Sequence, residues 1–237
     1  MTRRRWVADE VVGKRAILHG KNAHHLARVL RAKVGQLFDV VAEGRVREGR
    51  VASITDQRVE FELAAEVPSV DLPVRITLLL AIFKFDRMEW ALEKATELGV
   101  ARITPLNARR TEAHLASAAV RRVERWRRIV HEAAQQARRA SVPDVAAPLT
   151  LREALASSER GIVLAESERN LSLKRAISEM TPVKAVTLAV GPEGGWTNDE
   201  LESFHSAGWR PASLGSTILR AETASIAALA VTIAELT

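Results

Sequence analysis

The sequence contains no cysteine. A disulfide framework, a zinc–thiolate centre and a cysteine nucleophile are therefore excluded, and the expected location is cytoplasmic. Long hydrophobic runs are missing as well. The longest uncharged stretch near the C-terminus, residues 223–234, is too short to span a bilayer, so no membrane partner is expected. The N-terminus, Met-Thr-Arg-Arg-Arg-Trp, has basic residues with no apolar segment behind them, unlike a signal peptide.

Several catalytic signatures are absent too. No Gly-x-x-x-x-Gly-Lys-Ser/Thr occurs, which removes a P-loop, and no Gly-x-Gly-x-x-Gly follows a strand, which removes the standard dinucleotide fingerprint. His131-Glu132-Ala-Ala-Gln135 begins like a metalloprotease helix, but Gln135 stands where the second histidine is required. One ligand does not hold zinc, and no metal is expected. His24-His25 is an adjacent pair on a short helix, where neighbours point to different sides. One buried and one exposed histidine is the expectation.

What remains is a chain of 237 residues, 47% hydrophobic and 27% charged, enough for one large domain or two modest ones. Its net charge of +6 is unevenly spread. Residues 1–50 hold 12 Lys/Arg against 5 Asp/Glu, and residues 102–139 hold 10 Arg against 3 Glu. Clustered positive charge suggests a polyanionic partner, RNA or DNA, against the alternative of two solvated helix faces.

Residues 1–66 read as a small β-rich module. Residues 36–42 form an apolar run, Glu43-Gly44 a turn, and residues 58–63 alternate charged and apolar as a half-buried strand does. Leu26, Val29 and Leu30 can share one side of a short helix. Residues 64–73 carry two prolines and little periodicity, as linkers do, so the expected domains are 1–70 and 74–237. Beyond the linker, strand and helix patterns alternate. Residues 74–83, 100–106, 161–165 and 185–190 read as buried strands. Asp86-x-x-Glu89 and Thr197-x-x-Glu200 have capping-box spacing, Gly99 can close a helix, and Ser117 is the expected cap of a long helix to about residue 139. This is the pattern of an α/β fold with a mostly parallel sheet. The last helix, from about residue 222, is apolar nearly all round and must be buried on several sides, either within its domain or against a second subunit.

Two glycine-bearing stretches stand out: Gly191-Pro192-Glu193-Gly194-Gly195-Trp196-Thr197, and residues 214–223, Leu-Gly-Ser-Thr-Ile-Leu-Arg-Ala-Glu-Thr. Each follows a strand pattern and precedes a helix pattern. Ligands of open α/β sheets bind beyond the carboxyl ends of strands. The expectation is that both loops wall one pocket faced by Arg220 and Glu222. On spacing alone, Glu193, Arg220 and Glu222 have a structural reading as well, as a helix-start carboxylate and an ion pair.

Together these stretches resemble the signature segments of the SPOUT class of RNA methyltransferases. Glu93-Lys-Ala-Thr-Glu-Leu-Gly-Val100, Arg125-Trp126, Glu132-Ala-Ala-x-Gln136, Val142-Pro143 and the His24-His25-Leu26 segment extend the resemblance over essentially the whole chain. It implies a PUA-like RNA-binding barrel followed by a SPOUT domain with a trefoil knot, working as a homodimer. The cofactor would be S-adenosylmethionine, and the product a methyl group at N3 of one uridine, U1498, of 16S ribosomal RNA in the small ribosomal subunit. The cofactor residues implied are Leu164, Val190, Gly191, Pro192, Glu193, Gly194, Leu214, Gly215, Ile218, Leu219 and Thr223. The catalytic pair would be Arg220, holding a uracil carbonyl, and Glu222, the base. Arg5, His25, Arg28, Arg31, Arg122, Arg125 and Arg139 would hold RNA. The same pocket would serve a methyltransferase acting on transfer RNA or a ribose 2′-hydroxyl, and a non-catalytic RNA-binding assembly factor is the third reading. The chain departs from the class at Arg138, where Gly is common, at Trp196, where Phe is frequent, and at Ala221, where Thr is common.

Overall fold

A computed structural model describes residues 5–67, 74–158, 161–180 and 182–237. Residues 68–73 of the expected linker lie outside the described residues. Two compact units are found. One comprises Met1–Asp71 with Ala134–Val142, the other Leu72–Ala133 with Pro143–Thr237.

The first unit is built on a six-stranded sheet ordered β1-β4-β5-β6-β3-β2. Its strands are β1 (Arg5–Val7), β2 (Glu10–Val12), β3 (Arg15–His19), β4 (Leu37–Ala42), β5 (Arg45–Ile54) and β6 (Arg58–Glu66). Only the β1–β4 pairing is parallel. In β6, Val59, Phe61 and Leu63 are buried, as the alternation requires. They join Trp6, Leu18, Leu26, Phe38 and Val40 in one core. Glu43 and Gly44 both take positive φ, 53° and 75°, and close the β4–β5 hairpin in two residues. Such primed turns match the twist of the paired strands.

Between β3 and β4 the chain forms α1 (Gly20–His24), which runs directly into a π-helical turn over His25–Val29. The amide of Leu30 reaches back five residues to the carbonyl of His25, at 3.0 Å. That wider turn breaks the expected stripe. Leu26 is fully buried, whereas Val29 is 61% exposed. The two histidines do not divide between core and solvent: both are exposed, and the His25 ring lies 5.9 Å from that of Trp6.

The second unit holds a sheet ordered β10-β8-β7-β12-β11-β13, with β9 beside β8. Its strands are β7 (Arg75–Ala81), β8 (Arg102–Asn107), β9 (Asp144–Val145), β10 (Leu149–Thr150), β11 (Ile162–Leu164), β12 (Ala185–Val190) and β13 (Arg210–Ala212). Every pairing is parallel. β7 and β12 are central and nearly wholly buried, which is why they read as unbroken apolar runs. β9, β10 and β13 have two or three residues, too few for any periodicity.

Helices α2 (Phe85–Glu97), α3 (Ala113–Ala119), α4 (Val123–Gln136), α5 (Leu151–Ser157), α6 (Leu173–Ser178), α7 (Asn198–Ser206) and α8 (Ala221–Leu236) fill the connections. Two expected starts are corrected. The helix assigned to Ser117 begins at Ala113, and Ser117 lies inside it, its hydroxyl donating to the His114 carbonyl. A 3-10 turn at Val120–Arg122 separates α3 from α4. At α2 the N-cap is Lys84, without a side-chain cap. That start places Asp86 inside the first turn and Glu89 beyond the third helical position, where no box can close, and Glu89 pairs instead with Arg125, both oxygens at 2.7 Å. The box at Thr197 and Glu200 is present.

Three helices end alike. Gly99, Gly208 and Arg138 take φ of 98°, 77° and 56° at the ends of α2, α7 and α4. The amide after each reaches back five residues, from Val100 to Ala95, Trp209 to Phe204 and Arg139 to Ala134. These are Schellman caps, whose left-handed position suits glycine. The glycine common to the SPOUT class at position 138 thus has a conformational reason, and here an arginine bears the strain.

Candidate active site

In the second unit, β11 and β12 end side by side, and the loop at 191–197 springs from β12. The chain then returns through α7 and β13 into the loop at 213–220. Both loops line one cavity of about 430 Å³, within the range of about 300–1,000 Å³ usual for small-molecule sites. The lining includes Leu164, Val190, Gly191, Pro192 and Gly194 on one side and Leu214, Gly215, Ile218 and Leu219 on the other. Glu193, Arg220, Glu222 and Thr223 do not line it. Ala221 and Ala224, three residues apart on α8, do. Helical spacing turns the two residues between them to other faces.

The glycines matter where space or angle requires them. A Cβ at Gly191 would lie 3.2 Å from the Trp196 ring, and one at Gly194 would lie 3.2 Å from Cδ of Arg110. Gly215 has φ of 126°, a conformation that side-chain-bearing residues rarely adopt. The indole of Trp196 donates to the Leu164 carbonyl at 3.0 Å, fastening the 191–197 loop to the end of β11. Phenylalanine, frequent here in the SPOUT class, has no such donor.

Arg110, Arg169 and Glu166 add charge of both signs to the lining. Arg110 also donates to the Gly194 carbonyl at 2.5 Å. These three, and Arg87, were not expected from the sequence. Their signal was positional: Arg109-Arg110 follows β8, Glu166 and Arg169 follow β11, and Arg87 lies in the first turn after β7. All stand beyond carboxyl ends of parallel strands.

Glu222 is the second residue of α8 and is 7% exposed. Its Oε1 lies 3.8 Å from Nε of Arg87, and its Oε2 has no hydrogen-bond partner among the described residues. Glu193 meets the same Arg87, Nη1 donating to Oε1 at 2.8 Å. Arg220, exposed, is the N-cap residue of α8. The expected ion pair between Arg220 and Glu222 is thus not among the described contacts.

The expected RNA residues differ in their engagement. Arg5 is largely buried, donates to the Arg138 carbonyl and lies 3.8 Å from Asp39. Arg28 pairs with both oxygens of Asp56, and that hydrogen bond, then the charge, holds the Asp56 carboxyl below its ordinary range. Arg125 grips Glu89 in the same two-pronged way. Arg122 lies over the Phe85 ring at 4.8 Å, a cation–π contact, and 3.6 Å from Glu89. Arg31 is exposed, at φ 49°. Arg139 is half-buried. No group of metal-binding side chains occurs among the described residues, and no described helix is long and apolar enough to cross a membrane.

Family models agree with this architecture. One described as an RNA methyltransferase domain matches residues 70–233, and one described as an RNA methyltransferase PUA domain matches residues 18–64. The fold is therefore that of an RNA methyltransferase with an N-terminal PUA-like domain. The chain is 35% identical over 230 residues to ribosomal RNA small subunit methyltransferase E of Synechocystis sp., covering 94% of this chain and 74% of that protein. It is 33% identical to the protein of that name from Rickettsia conorii, covering 88% and 85%. The crystal structure of ribosomal RNA small subunit methyltransferase E from Neisseria gonorrhoeae, bound to S-adenosyl methionine, superposes with a TM-score of 0.83 at 30% identity, covering 97% and 96%. The chain belongs to the ribosomal RNA small subunit methyltransferase E family.

Proposed function

We propose that this protein methylates N3 of one uridine, U1498, in 16S ribosomal RNA, using S-adenosylmethionine. The observation that carries the reading is the cavity walled by the 191–197 and 213–220 loops, beside a buried Glu222 whose second oxygen has no partner among the described residues. The lining suits this cofactor. Leu164, Val190, Leu214, Ile218 and Leu219 offer apolar surface to a flat purine. The glycine backbone of both loops offers close approach. Arg110 and Arg169 with Glu166 match a ligand carrying both a carboxylate and an ammonium. When bound, the cofactor supplies an electrophilic methyl group on a sulfonium.

This chain's own residues must then ready the nucleophile. Uracil N3 carries a proton at neutral pH and is inert until the proton leaves. Glu222 accepts that proton as general base. Arg220 steadies a uracil carbonyl as negative charge spreads to it. Because N3 is a pairing atom, the uridine must be unpaired or turned out of its stack. Arg28, Arg31, Arg122, Arg125, Arg139 and His25 contribute to holding the surrounding RNA. Such a substrate implies a cytoplasmic enzyme.

The same reading includes the trefoil threading of the C-terminal segment and a homodimer. For the dimer, the support is α8: Thr223, Ala230 and Ala234 are exposed and Ala227, Val231 and Ile233 only half-buried, leaving a mostly apolar face. Sedimentation of the purified protein should give twice the mass of 26.0 kDa.

The direct test incubates the protein with isotopically labelled cofactor and separated small ribosomal subunits, then maps the modified base. Label at N3 of that uridine is expected. Label on transfer RNA or a ribose hydroxyl would redirect the reading within the class, and cofactor binding without any transfer would refute it.

A further inference from the structure

Arg87 is the third residue of α2, just beyond the carboxyl end of β7. Its guanidinium stands between carboxylates of two separate elements. Nη1 donates to Oε1 of Glu193, on the loop that lines the cavity, at 2.8 Å. Nε lies 3.8 Å from Oε1 of Glu222, in the first turn of α8. Neither carboxylate lines the cavity, yet each adjoins residues that do: Pro192 and Gly194 flank one, Ala221 precedes the other.

The Glu222 side chain is nearly buried, and its Oε2 has no partner among the described residues. A buried carboxylate oxygen without a donor is costly, and needs either a counter-charge or an incoming group to complete it. Arg87 is the counter-charge present. Its planar fork can serve two carboxylates at once, which a lysine ammonium on a flexible stem cannot do with fixed geometry.

We propose that Arg87 is a positioning residue for methyl transfer, one arm setting the 191–195 loop through Glu193 and the other holding Glu222 with its second oxygen uncommitted. The inference rests on the reading of Glu222 as the base. Arg87 itself touches neither cofactor nor substrate in this scheme. The two arms therefore predict two separate couplings: cofactor affinity should be coupled between Arg87 and Glu193, and the transfer rate between Arg87 and Glu222.

Two double-mutant cycles on the full chain test this. Cofactor affinity is read by calorimetry and the transfer rate by single turnover at saturating cofactor on small ribosomal subunits. Arg87→Met is expected to weaken cofactor binding about tenfold, the scale of one lost charge-assisted hydrogen bond, and to slow saturated transfer as well. Adding Glu193→Gln to Arg87→Met should cost little further affinity. Adding Arg87→Met to Glu222→Gln should cost little further rate. Additive losses in the first cycle overturn the Glu193 arm, and additive losses in the second overturn the Glu222 arm. If Arg87→Met fails to melt cooperatively, Arg87→Lys replaces it in both cycles. A parent protein that binds cofactor but transfers nothing sinks the activity reading alone, and the affinity cycle still decides the Glu193 arm.

Discussion

Glu200 joins its own helix to the segment beyond β8. One carboxylate oxygen accepts the Arg109 amide at 2.8 Å, while the other accepts the Thr197 amide at 2.9 Å and its hydroxyl at 3.0 Å. Glu200 is 4% exposed, and the bonds it accepts are part-buried. Arg110, next to Arg109, lines the cavity. Glu200→Ala should lower unfolding stability by about 1–3 kcal/mol, because the part-buried Arg109 and Thr197 amides lose their acceptor, and should weaken cofactor binding. Urea denaturation and calorimetry check the two effects. A loss confined to stability would detach Glu200 from the site.

Arg138 supplies the opposite case, a substitution expected to stabilise. It holds φ of 56° with a side chain, whereas the equivalent positions after α2 and α7 are glycines. Arg138→Gly should raise stability by about 0.5–1 kcal/mol, the relief of left-handed strain less the added entropy of the unfolded chain. The carbonyl that accepts from Arg5 is kept. A lowered melting temperature would show that the arginine side chain contributes more than its backbone costs.

Gly161 tests packing apart from ligand binding. A Cβ there would lie 2.4 Å from the Thr187 carbonyl oxygen and 2.8 Å from the Trp209 ring. Neither neighbour is the end of a flexible side chain. Gly161→Ala should cost roughly 1–3 kcal/mol through displaced backbone. At Gly194 the nearest atoms belong to the flexible Arg110 side chain, and Gly194→Ala should destabilise less. Equal losses in thermal melts would contradict this ordering.

Glu222→Gln keeps the size of the side chain and removes its basicity. Single-turnover transfer at saturating cofactor should slow by about 10²-fold or more, with cofactor affinity changed far less. Arg220→Ala should behave similarly. A Glu222→Gln protein that turns over at the parent rate would remove Glu222 from the role of base.

Arg31 and Arg5 should separate RNA affinity from stability. Arg31 is exposed, and Arg31→Ala should reduce the slope of log affinity against log salt by about one unit, with little change in melting. Arg5 bonds the Arg138 carbonyl and faces Asp39 from a largely buried position. Arg5→Ala should therefore lower the melting temperature of the protein more than it changes RNA binding. Filter binding across a salt series and thermal melts distinguish them.

The α/β architecture was legible because β7 and β12 are covered on both faces and read as unbroken apolar runs. Strand β6, covered on one face, alternates. The cap at Thr197 and the stop at Gly99 were legible because each depends on residues within five positions of one another. The same local rule misled at Asp86-x-x-Glu89, where the helix starts at Phe85 and leaves Asp86 inside its first turn. It misled again at Val29, which a wider helical turn carries into solvent.

The order of residues alone determined which segments alternate, which are wholly buried and where glycine must stand, since these follow from neighbours along the chain. Only the tertiary structure decided that Arg110 and Arg169 join the glycine loops around one cavity, that Ala221 and Ala224 rather than Glu222 line it, and that Arg87 stands between Glu193 and Glu222. The Arg87–Glu193 contact spans 106 positions in the chain and the Arg110–Gly194 contact 84. They exist because parallel strands deliver their carboxyl ends to one edge of a sheet, and spacing along the chain does not encode which side chains meet there.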